Sequence, residues 1–231
     1  TNFFIYFHSI FVKYLLQKYT QNISYTMPLI TNYSFNKFKL YLWNISETEK
    51  KLENGIVTNS LKLRLSKIKS EEFRKGILSV RHLMKVANID EDDIYYSVDG
   101  APNLKSGEHI SISHSKNFSG IVISKNRIGI DIESFRKKIL NISSKFLNKK
   151  EKFAIGEMDK LTLIWTAKES IYKAFRTAGI SFSKQLYIYG INEKEKKAFG
   201  KIEYNNQSKL YEITYIKIGL NYITIANEKV D

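Results

Sequence analysis

Residues 128–133 read Ile-Gly-Ile-Asp-Ile-Glu. Side chains along a strand point alternately to its two faces, so Ile128, Ile130 and Ile132 share one face and Gly129, Asp131 and Glu133 the other. The isoleucine face is bound for a core. The opposite face sets two carboxylates side by side, and like charges that close repel each other unless something positive sits between them. A hard cation such as Mg²⁺ is one resolution. An edge strand with its acids in water is another, and this segment by itself leaves both open.

The rest of the chain supplies further strands and helices. Residues 38–45 alternate apolar and polar or aromatic side chains and predict a strand. Residues 61–88 carry helical spacing, and Ser70 followed by Glu71 and Glu72 gives the second part of that helix its own start. Asp90 to Asp93 predicts an acidic turn, residues 94–98 a strand and residues 99–102 a further turn. Residues 109–115 and 119–124 form a hairpin pattern around Lys116 and Asn117. Asn148 and Glu151 have capping-box spacing and open a helix. A longer helix is expected from about Lys160 to Phe175, ending near Gly179. Strands then follow at residues 185–189, 201–204, 210–218 and 221–226. The pair 111–124 is echoed by 214–226, each being strand, short turn and strand. Either two related halves or a coincidence of hairpins accounts for that.

Length and composition bound the class. A chain of 231 residues with 43% apolar and 13% aromatic side chains is globular, with room for one large domain or two small ones. It has no cysteine, which excludes disulfides and thiolate metal sites and is compatible with a reducing cytosol. Lys and Arg number 37 against 23 Asp and Glu, a net charge of +14 that favours anionic partners. Lysine-rich codon bias accounts for part of it, so charge does not choose the partner. Residues 3–16 are apolar but shorter than a membrane span and interrupted by His8, Ser9 and Lys13. Neither a basic leader nor a small-residue cleavage site marks a signal peptide. Met27 is the expected natural start, with residues 1–26 an upstream extension or an accessory amphipathic helix.

A second acid joins the first two. In residues 163–175, Trp165, Glu169 and Lys173 are four apart and stack along one helical face. A surface Glu–Lys pair would explain two of them. Taken with Asp131 and Glu133, however, they make three carboxylates and a lysine, a donor set suited to Mg²⁺ and phosphate oxygens. Such a set serves phosphoryl-type chemistry, where positioning and charge neutralisation carry most of the catalysis.

These residues resemble a known family. Gly129-Ile130-Asp131-Ile132-Glu133, followed about 30 residues later by Trp165-Thr166-Ala167-Lys168-Glu169-Ser170-Ile171-Tyr172-Lys173, is similar to the paired signature of 4′-phosphopantetheinyl transferases, with the spacing of the long, surfactin-synthetase-activating subclass. Gly100-Ala101-Pro102 resembles that family's Gly-Lys-Pro turn. Ile112-Ser113-His114-Ser115 resembles its Ser-His-Ser strand, and Phe146 to Glu151 its Phe-x-Ser-x-x-Glu helix start. The motifs span residues 100–173, and a looser likeness covers about 38–226.

The resemblance implies an α+β fold: a pseudo-twofold pair of similar halves, each a small antiparallel sheet packed on helices, with the active site in the cleft between them. The halves would be residues 27–128 and 129–231. It implies Mg²⁺-dependent transfer of the phosphopantetheine arm of coenzyme A to a serine of an acyl, peptidyl or aryl carrier protein, with release of 3′,5′-ADP. Asp131, Glu133 and Glu169 would hold Mg²⁺, or Mn²⁺ in its place. Glu169 and Lys173 would be catalytic, the first as general base, directly or through water, the second on the pyrophosphate. Ser113 and His114 would meet coenzyme A phosphates; for His114 a satisfied strand histidine is the structural alternative. Arg64 and Arg74 are placed for the 3′-phosphate, among a basic helix face with Lys62 and Lys67. One departure is Ala101, where the family has a lysine; Lys105 is a candidate substitute. The family also implies a cytoplasmic monomer with no nucleic-acid or membrane partner. The rival readings are a metal-dependent nuclease, which the basic charge would suit, and a non-catalytic basic binding module.

Overall fold

The computed structural model describes residues 31–35 and 37–229, so the expected start at Met27 and the segment 1–26 lie outside the described residues. Strands β1 (Thr31–Phe35), β2 (Phe38–Asn44), β5 (His109–His114) and β6 (Phe118–Ser124) form an antiparallel sheet in the order β1-β2-β6-β5. Strands β7 (Ile128–Ser134), β8 (Leu186–Asn192), β9 (Lys197–Tyr204), β10 (Gln207–Ile218) and β11 (Asn221–Glu228) form a second, in the order β7-β11-β10-β9-β8. Between them in sequence, β3 (Ile94–Tyr96) and β4 (Pro102–Leu104) make a small ribbon.

Alternation within each strand builds a layered molecule. Leu40 and Leu42 of β2 and Val122 of β6 pack against Ile128, Ile130 and Ile132 of β7 and Ile223 and Ile225 of β11, closing a core between the two sheets. Close approach there needs Gly120, whose added Cβ would sit 2.8 Å from Ile130 Cδ1. The other face of the first sheet, with Tyr41, Trp43, Ile121 and Ile123, packs on the helix α3 (Glu71–Val86), which follows the shorter α1 (Glu49–Glu53) and α2 (Asn59–Ser66). The other face of the second sheet carries Ala198, Tyr211, Ile213 and Ala226. It packs on Ile164, Ala167, Ile171 and Ala174 of α5 (Met158–Phe175), which follows α4 (Lys138–Phe146).

The halves repeat one topology. In the first, β2 leads through α3 to the hairpin β5-β6, and β2 pairs with β6. In the second, β7 leads through α5 to the hairpin β10-β11, and β7 pairs with β11. The two echoing stretches of sequence are therefore equivalent hairpins in two related halves.

Two expectations are corrected. The helix expected over residues 61–88 is two helices, α2 and α3. Ser70 caps α3 by accepting from the Phe73 amide at 3.2 Å, and Arg74 Nη1 takes the Ile68 and Lys69 carbonyls, so the chain turns there. The capping box at Asn148 is formed, yet it opens only a 3₁₀ turn, Lys149–Ala154. The helix α5 ends at Phe175, the expected last residue, and Arg176 caps it. Arg176 adopts the left-handed conformation, φ 56°. Its guanidinium donates to Asn103 Oδ1 at 2.6 Å and to the Pro102 carbonyl at 2.8 Å, contacts that hold a non-glycine residue in that region. Among the described residues no helix is long and apolar enough to cross a membrane.

Candidate active site

The edge strand β7 and the helix α5 make the site between them. Gly129 permits the approach: a methyl there would run into the backbone carbonyl of Ser170. With the helix that close, the next two residues on the same face, Asp131 and Glu133, are brought under α5, as the alternation predicts. From the helix side, Trp165 Nε1 donates to Glu133 Oε1 at 3.3 Å and Lys173 Nζ donates to Asp131 Oδ1 at 2.7 Å. The four-residue spacing thus delivers Trp165 and Lys173 to the two strand acids; Glu169, between them on the helix, feels the charges of both acids but does not line the cavity described below.

The other half closes the site. Ser111 Oγ accepts from the Ile130 amide at 3.1 Å, fastening β5 beside β7. Two residues on, Ser113 Oγ donates to Asp131 Oδ1 at 3.0 Å and lies 3.1 Å from Lys173 Nζ, which also donates to the Ile130 carbonyl. An open cavity of about 340 Å³ lies at this junction, lined by Ser113, His114, Asp131, Glu133, Arg136 and Lys173 among others. The His114 ring packs edge-on against Phe73 of α3, centroids 4.8 Å apart.

Burial and mutual repulsion set the protonation. The Glu169 carboxyl is pushed up to about 7, first by burial and then by the charge of Asp131, against the pull of Lys173. Glu133 is raised for the same two reasons, with the Trp165 hydrogen bond opposing. His114 is lowered by burial and by Lys173, which favours the neutral ring.

The residues present fit a hard divalent cation. Asp131, Glu133 and Glu169 lie close enough for their charges to act on one another. Oxygen donors of that kind suit Mg²⁺ or Mn²⁺. As the side chains stand, no group of three or more His, Asp or Glu residues among those described converges into a metal cage. Lys173 instead supplies the positive charge at Asp131.

Not every expected residue reaches the cavity. Arg74 spans Glu49 with two hydrogen bonds, Nε to Oε1 at 2.6 Å and Nη2 to Oε2 at 2.8 Å, and does not line it. Arg64 is exposed on α2 and does not line it either. Arg136 does, and it went unassigned in the sequence: it lies beyond the end of β7, where alternation no longer says which way a side chain points. The stretch from Phe146 to Glu151 serves packing. Glu151 is fully buried and accepts from Lys168 Nζ at 2.6 Å, next to Glu169 in sequence but on the far side of α5 from solvent.

No curated protein matches the chain. Residues 127–215 match the family model described as the 4′-phosphopantetheinyl transferase superfamily, so the stretch from β7 to β10, with Asp131, Glu133, Glu169 and Lys173 in it, is similar to that superfamily.

Proposed function

We propose that the protein transfers 4′-phosphopantetheine from coenzyme A to a serine hydroxyl of an acyl, peptidyl or aryl carrier protein, in a Mg²⁺-dependent reaction that releases 3′,5′-ADP, as a member of the long surfactin-synthetase-activating subclass. The observation that carries this reading is the meeting of Asp131 and Glu133 of β7 with Trp165 and Lys173 of α5, with Glu169 between those two on the helix and within reach of both acids' charges, beside a cavity and inside the segment similar to the superfamily. The proposed enzyme consists of halves at 27–128 and 129–231 and works as a cytoplasmic monomer.

The residues divide the work. Asp131, Glu133 and Glu169 would hold Mg²⁺, or Mn²⁺ in its place, and the ion would neutralise the pyrophosphate charge. The serine oxygen attacks the phosphorus that carries the pantetheine arm, and the pyrophosphate P–O bond breaks. The serine proton passes to Glu169 through a water, because a carboxylate that also holds the metal is weakened as a direct base. Lys173 stabilises the charge that accumulates on the departing phosphate. Ser113 and His114, both at the cavity, orient coenzyme A by its phosphates. Arg64 and Arg74 are the proposed cations for the 3′-phosphate, Arg74 exchanging Glu49 for it. With Ala101 in the turn before β4, Lys105 is the proposed substitute for the family's lysine.

The test is the intact mass of an apo acyl carrier protein after incubation with this protein, coenzyme A and Mg²⁺. A gain of roughly 340 Da is expected, lost with EDTA and with Glu169→Ala. No gain with any of several carriers, together with no Mg²⁺-dependent binding of coenzyme A, would overturn the reading.

A further inference from the structure

Asp131 uses only one of its oxygens in the contacts described above. Oδ1 takes Lys173 and Ser113 on the cavity side. Oδ2 is buried and has no partner among the described residues. A buried carboxylate oxygen without a hydrogen bond is costly, and native structures rarely leave one so.

A second unpartnered group lies across the ladder. Thr224 of β11 is in direct register with Asp131 of β7. Directly opposed residues of an antiparallel pair point to the same face, with Cβ atoms about 5 Å apart. Thr224 is fully buried, and its Oγ1 also has no partner among the described residues. Above this pair runs α5, whose Thr162, Thr166 and Ser170 repeat at four-residue spacing, all buried, each hydroxyl donating to a carbonyl of its own helix. The helix packed over these two strands thus carries buried hydroxyls of its own.

We infer that Thr224 is a positioning residue for Asp131: its hydroxyl and Asp131 Oδ2 share one internal water, which fixes the carboxylate plane and keeps Oδ1 turned toward the cavity. A shared water, rather than a direct bond, accounts for two facing buried groups that have no hydrogen-bond partner among the described residues. The inference rests on the proposed metal-holding role of Asp131, and outer partners of that kind are worth about tenfold or more in metal affinity.

Two measurements decide it, neither of them transferase activity. A high-resolution crystal structure of the metal-free protein is expected to show an ordered water bonded to both Thr224 Oγ1 and Asp131 Oδ2. Mn²⁺ titration followed by electron paramagnetic resonance is expected to give about tenfold weaker binding for Thr224→Val, with Thr224→Ser close to wild type and all three proteins melting together. No water between the two atoms overturns the inference, as does a valine variant that binds Mn²⁺ like wild type. If the water and the Mn²⁺ effect are found while no carrier protein gains mass, the positioning role stands and the transferase reading falls.

Discussion

Glu169 shows how packing tunes a single residue. Its carboxyl titrates at about 7 against the usual 4.5 because burial and Asp131 both disfavour the anion. Between those two values the folded protein binds more protons than the unfolded chain, so this group makes stability fall as pH rises through the window, and its full penalty is present above about 7. In the metal-free protein, Glu169→Gln is therefore expected to be more stable than wild type at about pH 8, by about 2 kcal/mol, and no more stable at about pH 4. Urea unfolding in EDTA at the two pH values measures it. An equal difference at both would mean that charge at 169 is not what costs stability. Glu133 is displaced in the same direction, first by burial and then by the charge of Asp131.

At the scale of elements, the Lys168–Glu151 pair decides how α5 sits. Lys168 Nζ lies 2.6 Å from Glu151 Oε2 and within 3.0 Å of the carbonyls of Phe146, Phe182 and Leu186. Glu151 in turn accepts from the amides of Asn148 and Ile188. One buried ion pair thus joins the end of α4, the 3₁₀ turn, the short helix α6 (Phe182–Gln185) and β8 to the helix that carries Glu169. Burial pulls Lys168 down to about 8 and Glu151 up, so each needs the other to stay charged. Lys168→Met is expected to cost about 3–5 kcal/mol, since it strands a buried carboxylate. Adding Glu151→Met should recover part of that loss and not all, because the backbone groups served by the pair stay unserved. A double-mutant cycle by denaturant unfolding reads the coupling, and strictly additive losses would show that the pair is not a unit.

The whole molecule is a strongly basic body, +14 over its length, with its candidate site at the junction of two repeated halves. A polyanionic donor and an acidic acceptor protein would be drawn to it over a distance set by the Debye length. With an acidic carrier at limiting concentration, kcat/KM is expected to fall about tenfold between about 50 and 500 mM NaCl, with kcat at saturation little changed. A rate indifferent to salt would leave the charge without a part in encounter.

What the sequence determined by itself follows from local geometry. Alternation placed Ile128, Ile130 and Ile132 in the core and Asp131 and Glu133 on the face toward α5, because a strand's period is fixed by its own backbone. Helical spacing aligned Trp165, Glu169 and Lys173 for the same reason. The hairpin echo reported the repeated halves, since equivalent strands carry equivalent patterns. Tertiary structure alone decided the rest. It gave Arg74 to Glu49 and put Arg136 at the cavity, because a long side chain's partner depends on which elements meet around it. It tied the cap residue of α5, Arg176, to Asn103 and Pro102 of a distant turn. It also set Thr224 opposite Asp131, a neighbour 93 positions away that only the ladder of hydrogen bonds brings into register.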